Sequence, residues 1–124
     1  MAKILIIDDS PTELHQLSTI LEKHGYQTVT ANNGADGVAI CCNEMPDAVL
    51  MDIVMPELNG FQATRQLSKS SDTQHIPVII ITTKDQETDR VWGIRQGAKS
   101  YLTKPISEDR LMEALNDVLK VCPE

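Results

Sequence analysis

Three aspartates stand immediately after two apolar runs: Asp8 and Asp9 follow Ile4-Leu5-Ile6-Ile7, and Asp52 follows Ala48-Val49-Leu50-Met51. If those runs are neighbouring parallel strands, the three carboxylates converge on one end of a sheet. At ~4 Å and an effective dielectric of ~20, each pair would repel by about 4 kcal/mol, so the cluster must hold a proton or recruit a cation. Mg²⁺, or Mn²⁺ in its place, is the natural partner: it prefers oxygen ligands and keeps positions open for phosphate oxygens. Asp52 is therefore a candidate phosphoryl acceptor. Thr82 and Lys104 end two further strand-like segments and are expected at the same edge. There a hydroxyl and an ammonium would bind equatorial oxygens of a phosphoryl group on Asp52; the plainer reading of Lys104 is a counter-ion. Pro105 makes Lys104-Pro105 a candidate cis bond, because a tight turn has to aim the ammonium back into the site.

The elements that must position these groups are legible. Apolar four-residue runs alternate five times with longer amphipathic segments, the signature of repeated βα units and a parallel sheet. The runs at 4–7, 48–51 and 78–81 are apolar throughout, as strands covered on both faces must be. Residues 27–31 alternate and residues 99–103 are mixed, so the second and fifth strands are the edges. Right-handed crossovers then favour a flavodoxin-like doubly wound (βα)5 three-layer sandwich of strand order 2-1-3-4-5, whose switch point lies between strands one and three. Ser10-Pro11-Thr12-Glu13 reads as an N-cap, a proline at the first helical position and a capping-box glutamate. Leu14, Leu17 and Leu21 should face the core, and Leu111, Leu115, Val118 and Leu119 give the last helix its apolar side. Asn33-Gly34 and Asn59-Gly60 mark later helix starts. On the fourth helix the spacing predicts a buried stripe of Val91, Ile94 and Ala98, with Trp92 ~100° away from Val91. Trp92 is thus expected to be partly exposed, as core-edge packing or as a partner-docking anchor.

Length and composition bound the function. The 124 residues fit one domain, 1–124, with no linker or output domain expected. A formal charge of −7, from 18 acidic and 11 basic residues, disfavours nucleic-acid and anionic-membrane surfaces. No apolar stretch approaches ~20 residues and no signal peptide is visible, so the expected location is cytoplasmic, without membrane insertion. Cys41, Cys42 and Cys122 read as reduced structural thiols, and His15, His24 and His75 lack metal-type pairing. A dehalogenase-type hydrolase would need a second acid where Val54 stands. A flavin carrier would need a hydroxyl-rich loop in place of Asp-Asp-Ser-Pro, and more than 3% aromatics. A phosphorylation-independent interaction module remains as the alternative.

Asp8-Asp9, Asp52, Thr82, Tyr101 and Lys104-Pro105 stand in an order and spacing similar to the receiver domains of two-component response regulators, and the resemblance covers the whole chain. It implies that Asp52 is phosphorylated by a chemotaxis-type histidine kinase, that Asp9 ligates Mg²⁺ directly, Asp8 through water and Val54 through its main-chain carbonyl. It further implies that Thr82 and Tyr101 form a switch pair, Lys104 binds the phosphoryl group, and the face of helix four, strand five and helix five is remodelled for a protein target. On this reading the chain is a phosphoacceptor, not an enzyme with a separate substrate, and a monomer or weak dimer. Ser-Pro-Thr-Glu, Met-Asp-Ile-Val-Met-Pro and Thr-Thr-Lys-Asp-Gln-Glu-Thr-Asp-Arg-Val-Trp resemble the PilH-type single-domain regulators of type IV pili and twitching motility. Whether such a regulator binds a target or drains phosphate from a sister regulator stays open. Thr83 departs from the alanine common in receivers.

Overall fold

The computed structural model describes residues 2–119; Cys122 lies outside the described residues. Five βα units follow one another: β1 (Lys3–Ile7), α1 (Pro11–Lys23), β2 (Gln27–Ala31), α2 (Gly34–Glu44), β3 (Ala48–Met51), α3 (Gly60–Lys69), β4 (Val78–Thr82), α4 (Glu87–Arg95), β5 (Ser100–Thr103) and α5 (Glu108–Leu119). The strands are parallel in the order β2-β1-β3-β4-β5, as the apolar runs predict. β3 and β4 are buried at every position, β1 at all but its first, whereas the outer strand β2 is largely open.

Strand side chains alternate between the two faces, and this divides the core in two. Leu5, Ile7, Val49, Met51, Val78, Ile80 and Tyr101 pack with Cys41 of α2 and with Ala63 and Leu67 of α3. Ile4, Ile6, Leu50, Ile79, Ile81 and Leu102 pack with Leu17 and Leu21 of α1 and with Leu111, Ala114 and Leu115 of α5. Truncating one of these fully buried aliphatic side chains to alanine costs about 2–5 kcal/mol, so the sheet is a stiff platform for whatever its ends carry. Asn33 and Asn59 cap α2 and α3. Among the described residues, no helix is long and apolar enough to cross a membrane.

Two local expectations fail for identifiable reasons. Val91 and Ile94 are exposed, at 46% and 44%, and Ala98, though buried, lies beyond the end of α4. The residue that α4 buries is Gly93, whose missing side chain brings the helix backbone down onto the Tyr101 ring and Ile80. A helix seated through a glycine has no need of an apolar stripe. The second concerns Glu13. Ser10 does cap α1, its Oγ accepting from the Glu13 amide at 3.3 Å, but the Ser10 amide donates to Asp8 Oδ1 at 2.9 Å. The reciprocal half of the capping box is therefore pre-empted, and the Glu13 carboxylate turns toward Lys104.

Candidate functional site

The sheet register sets the site. Ile7 is paired with Met51, so Asp8 and Asp52 emerge side by side one residue beyond the ladder, and the amide of Asp52 still donates to Ile7 O at 3.0 Å. On the other side Thr82 is paired with Thr103, and the Lys104 amide donates to Thr82 O at 2.8 Å, which delivers Lys104 to the same edge. The Lys104-Pro105 bond is cis. Carboxylate oxygens of Asp8, Asp9 and Asp52 all lie within 4.8 Å of one another, with Asp8 and Asp52 buried and Asp9 exposed. The Lys104 ammonium sits 3.0 Å from Asp8 Oδ2 and 3.6 Å from Asp52 Oδ2.

This arrangement fits a hard divalent cation. Octahedral Mg²⁺ with bonds of about 2.1 Å spaces its oxygens roughly 3–4 Å apart, close to the spread of the three carboxylates, with room for one to act through water. Three carboxylates, those of Asp8, Asp52 and Glu13, share the single ammonium of Lys104. The mismatch shows in the titration behaviour. Burial pushes the Asp52 carboxyl above its ordinary pKa and the charge of Asp8 adds to this, while Lys104, the Thr82 hydroxyl and the Ile53 amide work the other way. That amide donates to Asp52 Oδ1 at 2.7 Å. Burial alone would lower the Lys104 pKa, but its hydrogen bond to Asp8 and the charges of Asp52, Asp8 and Glu13 outweigh it and leave the ammonium firmly protonated. A deprotonated carboxylate nucleophile, a cation pocket and a fixed ammonium are what transfer of a phosphoryl group to oxygen requires.

Thr82 and Tyr101 are both buried and are joined through the main chain of Lys84. The Lys84 amide donates to Thr82 Oγ1 at 3.4 Å, and Tyr101 OH donates to Lys84 O at 2.8 Å. The Tyr101 ring lies inside the protein, where Gly93 leaves the space and Lys84 O takes the hydroxyl. Burial, followed by the nearby charges of Asp89, Asp52 and Asp85, pushes the Tyr101 phenol up to about 12. Trp92 is 49% exposed, as expected, and Val54 projects its side chain into solvent at 55% exposure.

Sequence reasoning missed four contributors. Glu13 was legible only as a capping residue. Lys84 contributes main-chain atoms, which carry no sequence signal, and Gly93 contributes an absence. Gly60 was read as a helix start, but a Cβ there would also collide with the Asp52 carbonyl and lie 2.7 Å from Ile53 Cα. It is the residue that lets α3 begin directly against the Asp52 backbone.

Comparison with known proteins gives this geometry its context. The family model described as the response regulator receiver domain matches residues 4–116. Protein PilH of Pseudomonas aeruginosa is 66% identical over 119 residues, covering 96% of this chain and 98% of that one. Response regulator PleD of Caulobacter vibrioides is 34% identical over 96% of this chain, which spans only 26% of its length. Among solved structures, the receiver domain of a sensor histidine kinase from P. aeruginosa superposes with a TM-score of 0.88 at 27% identity, covering 95% of this chain and 97% of that one, and holds a magnesium ion in its active-site cleft. With its (βα)5 fold and the acidic cluster at the sheet edge, the chain belongs to the response regulator receiver-domain family, the phosphoacceptors of two-component signalling.

Proposed function

We propose that this chain is a receiver that accepts a phosphoryl group on Asp52 from the phosphohistidine of a chemotaxis-type histidine kinase. The observation that carries the reading is the meeting of Asp8, Asp9 and Asp52 within 4.8 Å under the Lys104 ammonium. Asp9 and Asp52, with Asp8 through water and the Val54 carbonyl, would hold Mg²⁺. Bound there, Mg²⁺ supplies charge neutralisation and orientation for phosphoryl oxygens. The chain's own residues do the rest. Asp52 attacks phosphorus as a carboxylate, held by the Ile53 amide through Oδ1 with Oδ2 toward Lys104. Lys104 stabilises charge on the equatorial oxygens in the loose transition state. The Asp52–phosphorus bond forms as the histidine–phosphorus bond breaks, and the histidine nitrogen keeps the electron pair.

The new charge then biases a packing equilibrium. Thr82 is the neighbour placed to bond the phosphoryl group, and its movement would be transmitted through Lys84 to Tyr101 and α4. The exposed Val91, Trp92 and Ile94 make the α4-β5-α5 surface the output face, with Trp92 as docking anchor. Placement in type IV pilus control is supported by the motif resemblance to PilH-type regulators and by 66% identity over nearly the full length of PilH. Phosphotransfer from a purified chemotaxis-type kinase tests the reading: wild type should acquire label rapidly and Asp52→Ala none. Full labelling of Asp52→Ala would refute Asp52 as the acceptor.

A further inference from the structure

Lys104 and the water through which Asp8 would serve a divalent cation compete for the same carboxylate. The ammonium is hydrogen-bonded to Asp8 Oδ2 at 3.0 Å, and Asp8 Oδ1 is already occupied by the Ser10 amide. A dication drawn toward Asp8 meets a fixed positive charge there, so Lys104 has to leave. It has little water to move into, being 13% exposed, and Asp52, at 3.6 Å, belongs to the same cation pocket. The remaining acceptor is Glu13, whose Oε1 also lies 3.6 Å from Nζ, on the α1 side of the site and outside the three-aspartate cluster.

Glu13 is kept available for this by its surroundings. At the equivalent position of α3, Gln62 bonds back to the Asn59 amide at 3.0 Å and completes a capping box. In α1 the Ser10 amide is spent on Asp8, so Glu13 is released from capping while its own amide still anchors it to Ser10 Oγ. Its side chain, 35% exposed, can approach Lys104 by a fraction of an ångström and reach the roughly 2.8 Å of a charge-assisted hydrogen bond.

We propose that Glu13 is a positioning residue that receives the Lys104 ammonium when a divalent cation, through its bound water, claims Asp8, and so sets the affinity of the site for that cation. The inference rests on the metal-site reading above. It explains why the α1 cap is half-made, and it assigns a role to a carboxylate that ligates nothing itself.

The test is Mg²⁺ titration calorimetry on the full chain as wild type, Glu13→Gln, Lys104→Met and the double variant. Glu13→Gln should weaken Mg²⁺ binding about 3- to 10-fold, and in the Lys104→Met background the same change should shift affinity by less than about 2-fold, the non-additivity expected of coupled neighbours. An equal loss in both backgrounds would show that Glu13 acts only as diffuse negative charge and would overturn the proposal, as would unchanged affinity in Glu13→Gln. Should Lys104→Met not fold, the ¹H–¹⁵N signal of the Lys104 ammonium decides. It should stay protected from exchange through the Mg²⁺ titration in wild type and lose that protection in Glu13→Gln, and identical behaviour in both overturns the role. If wild type shows no saturable Mg²⁺ binding, the metal-site reading falls and this inference falls with it; if wild type binds and Glu13→Gln is indistinguishable, only the role of Glu13 falls.

Discussion

Asp52 carries opposed influences within one side chain: burial and Asp8 resist its ionisation, while Lys104, Thr82 and the Ile53 amide favour it, and resistance prevails. A carboxyl whose pKa is raised by folding contributes stability that is fully present below its unfolded pKa and is lost as pH rises through the folded one. At pH 7 the ionised Asp52 therefore costs the metal-free protein stability. Asp52→Asn should raise its melting temperature by several degrees, corresponding to about 1 kcal/mol, and the gain over wild type should fade as pH falls below the folded pKa. An Asn variant melting at or below wild type at pH 7 would show that the Lys104 ion pair outweighs burial. Cys41 shows the bland side of the same physics. Burial, with Cys42 beside it, pushes its thiol up to about 11, so at pH 8 a thiol reagent applied to the native protein should label exposed Cys42 and spare Cys41. Tandem mass spectrometry checks this, and comparable labelling of both would contradict the buried, inert reading of Cys41.

At the scale of elements, α4 is where function and packing pull against each other. Its backbone rests on Tyr101 through Gly93, and a Cβ there would come 2.8 Å from the Tyr101 ring and 2.9 Å from Ile80 Cδ1. Gly93→Ala should cost about 1–3 kcal/mol by overpacking and displace the ring, seen as lost protection of Tyr101 OH in NMR spectra; unchanged stability and an unmoved ring would show that α4 is not seated this way. Trp92, one residue earlier, faces out. Trp92→Ala should change stability by less than about 1 kcal/mol, yet weaken binding of a partner by about 2 kcal/mol, whereas loss of 3–5 kcal/mol in a thermal melt would return it to the core. The strands and their carboxyl-end acids were legible because continuous apolar runs end abruptly at Asp8 and Asp52, and a period-2 element fixes what comes next. The Val91, Ile94 and Ala98 stripe was misread because helical periodicity assumes that side chains do the packing, and at Gly93 the backbone does it. Glu13 was misread for a related reason: its type and spacing satisfy a local capping rule, and its partner belongs to a different unit of the fold.

Across the whole molecule, two independent cores clamp a parallel sheet, a stiff mount for the carboxylates at its edge. Charge is distributed unevenly: the chain is acidic overall, and the sheet edge bearing Asp8, Asp9 and Asp52 concentrates carboxylates that repel one another. Phosphorylation of Asp52 should depend on a divalent cation, and peptide mapping by mass spectrometry after treatment with a small acyl-phosphate donor measures this directly. With Mg²⁺ present, one phosphoryl group should be found, on the peptide bearing Asp52, and EDTA or Asp52→Ala should abolish it. A modification on another residue, or one indifferent to EDTA, would show that Asp52 is not a cation-dependent phosphoryl acceptor.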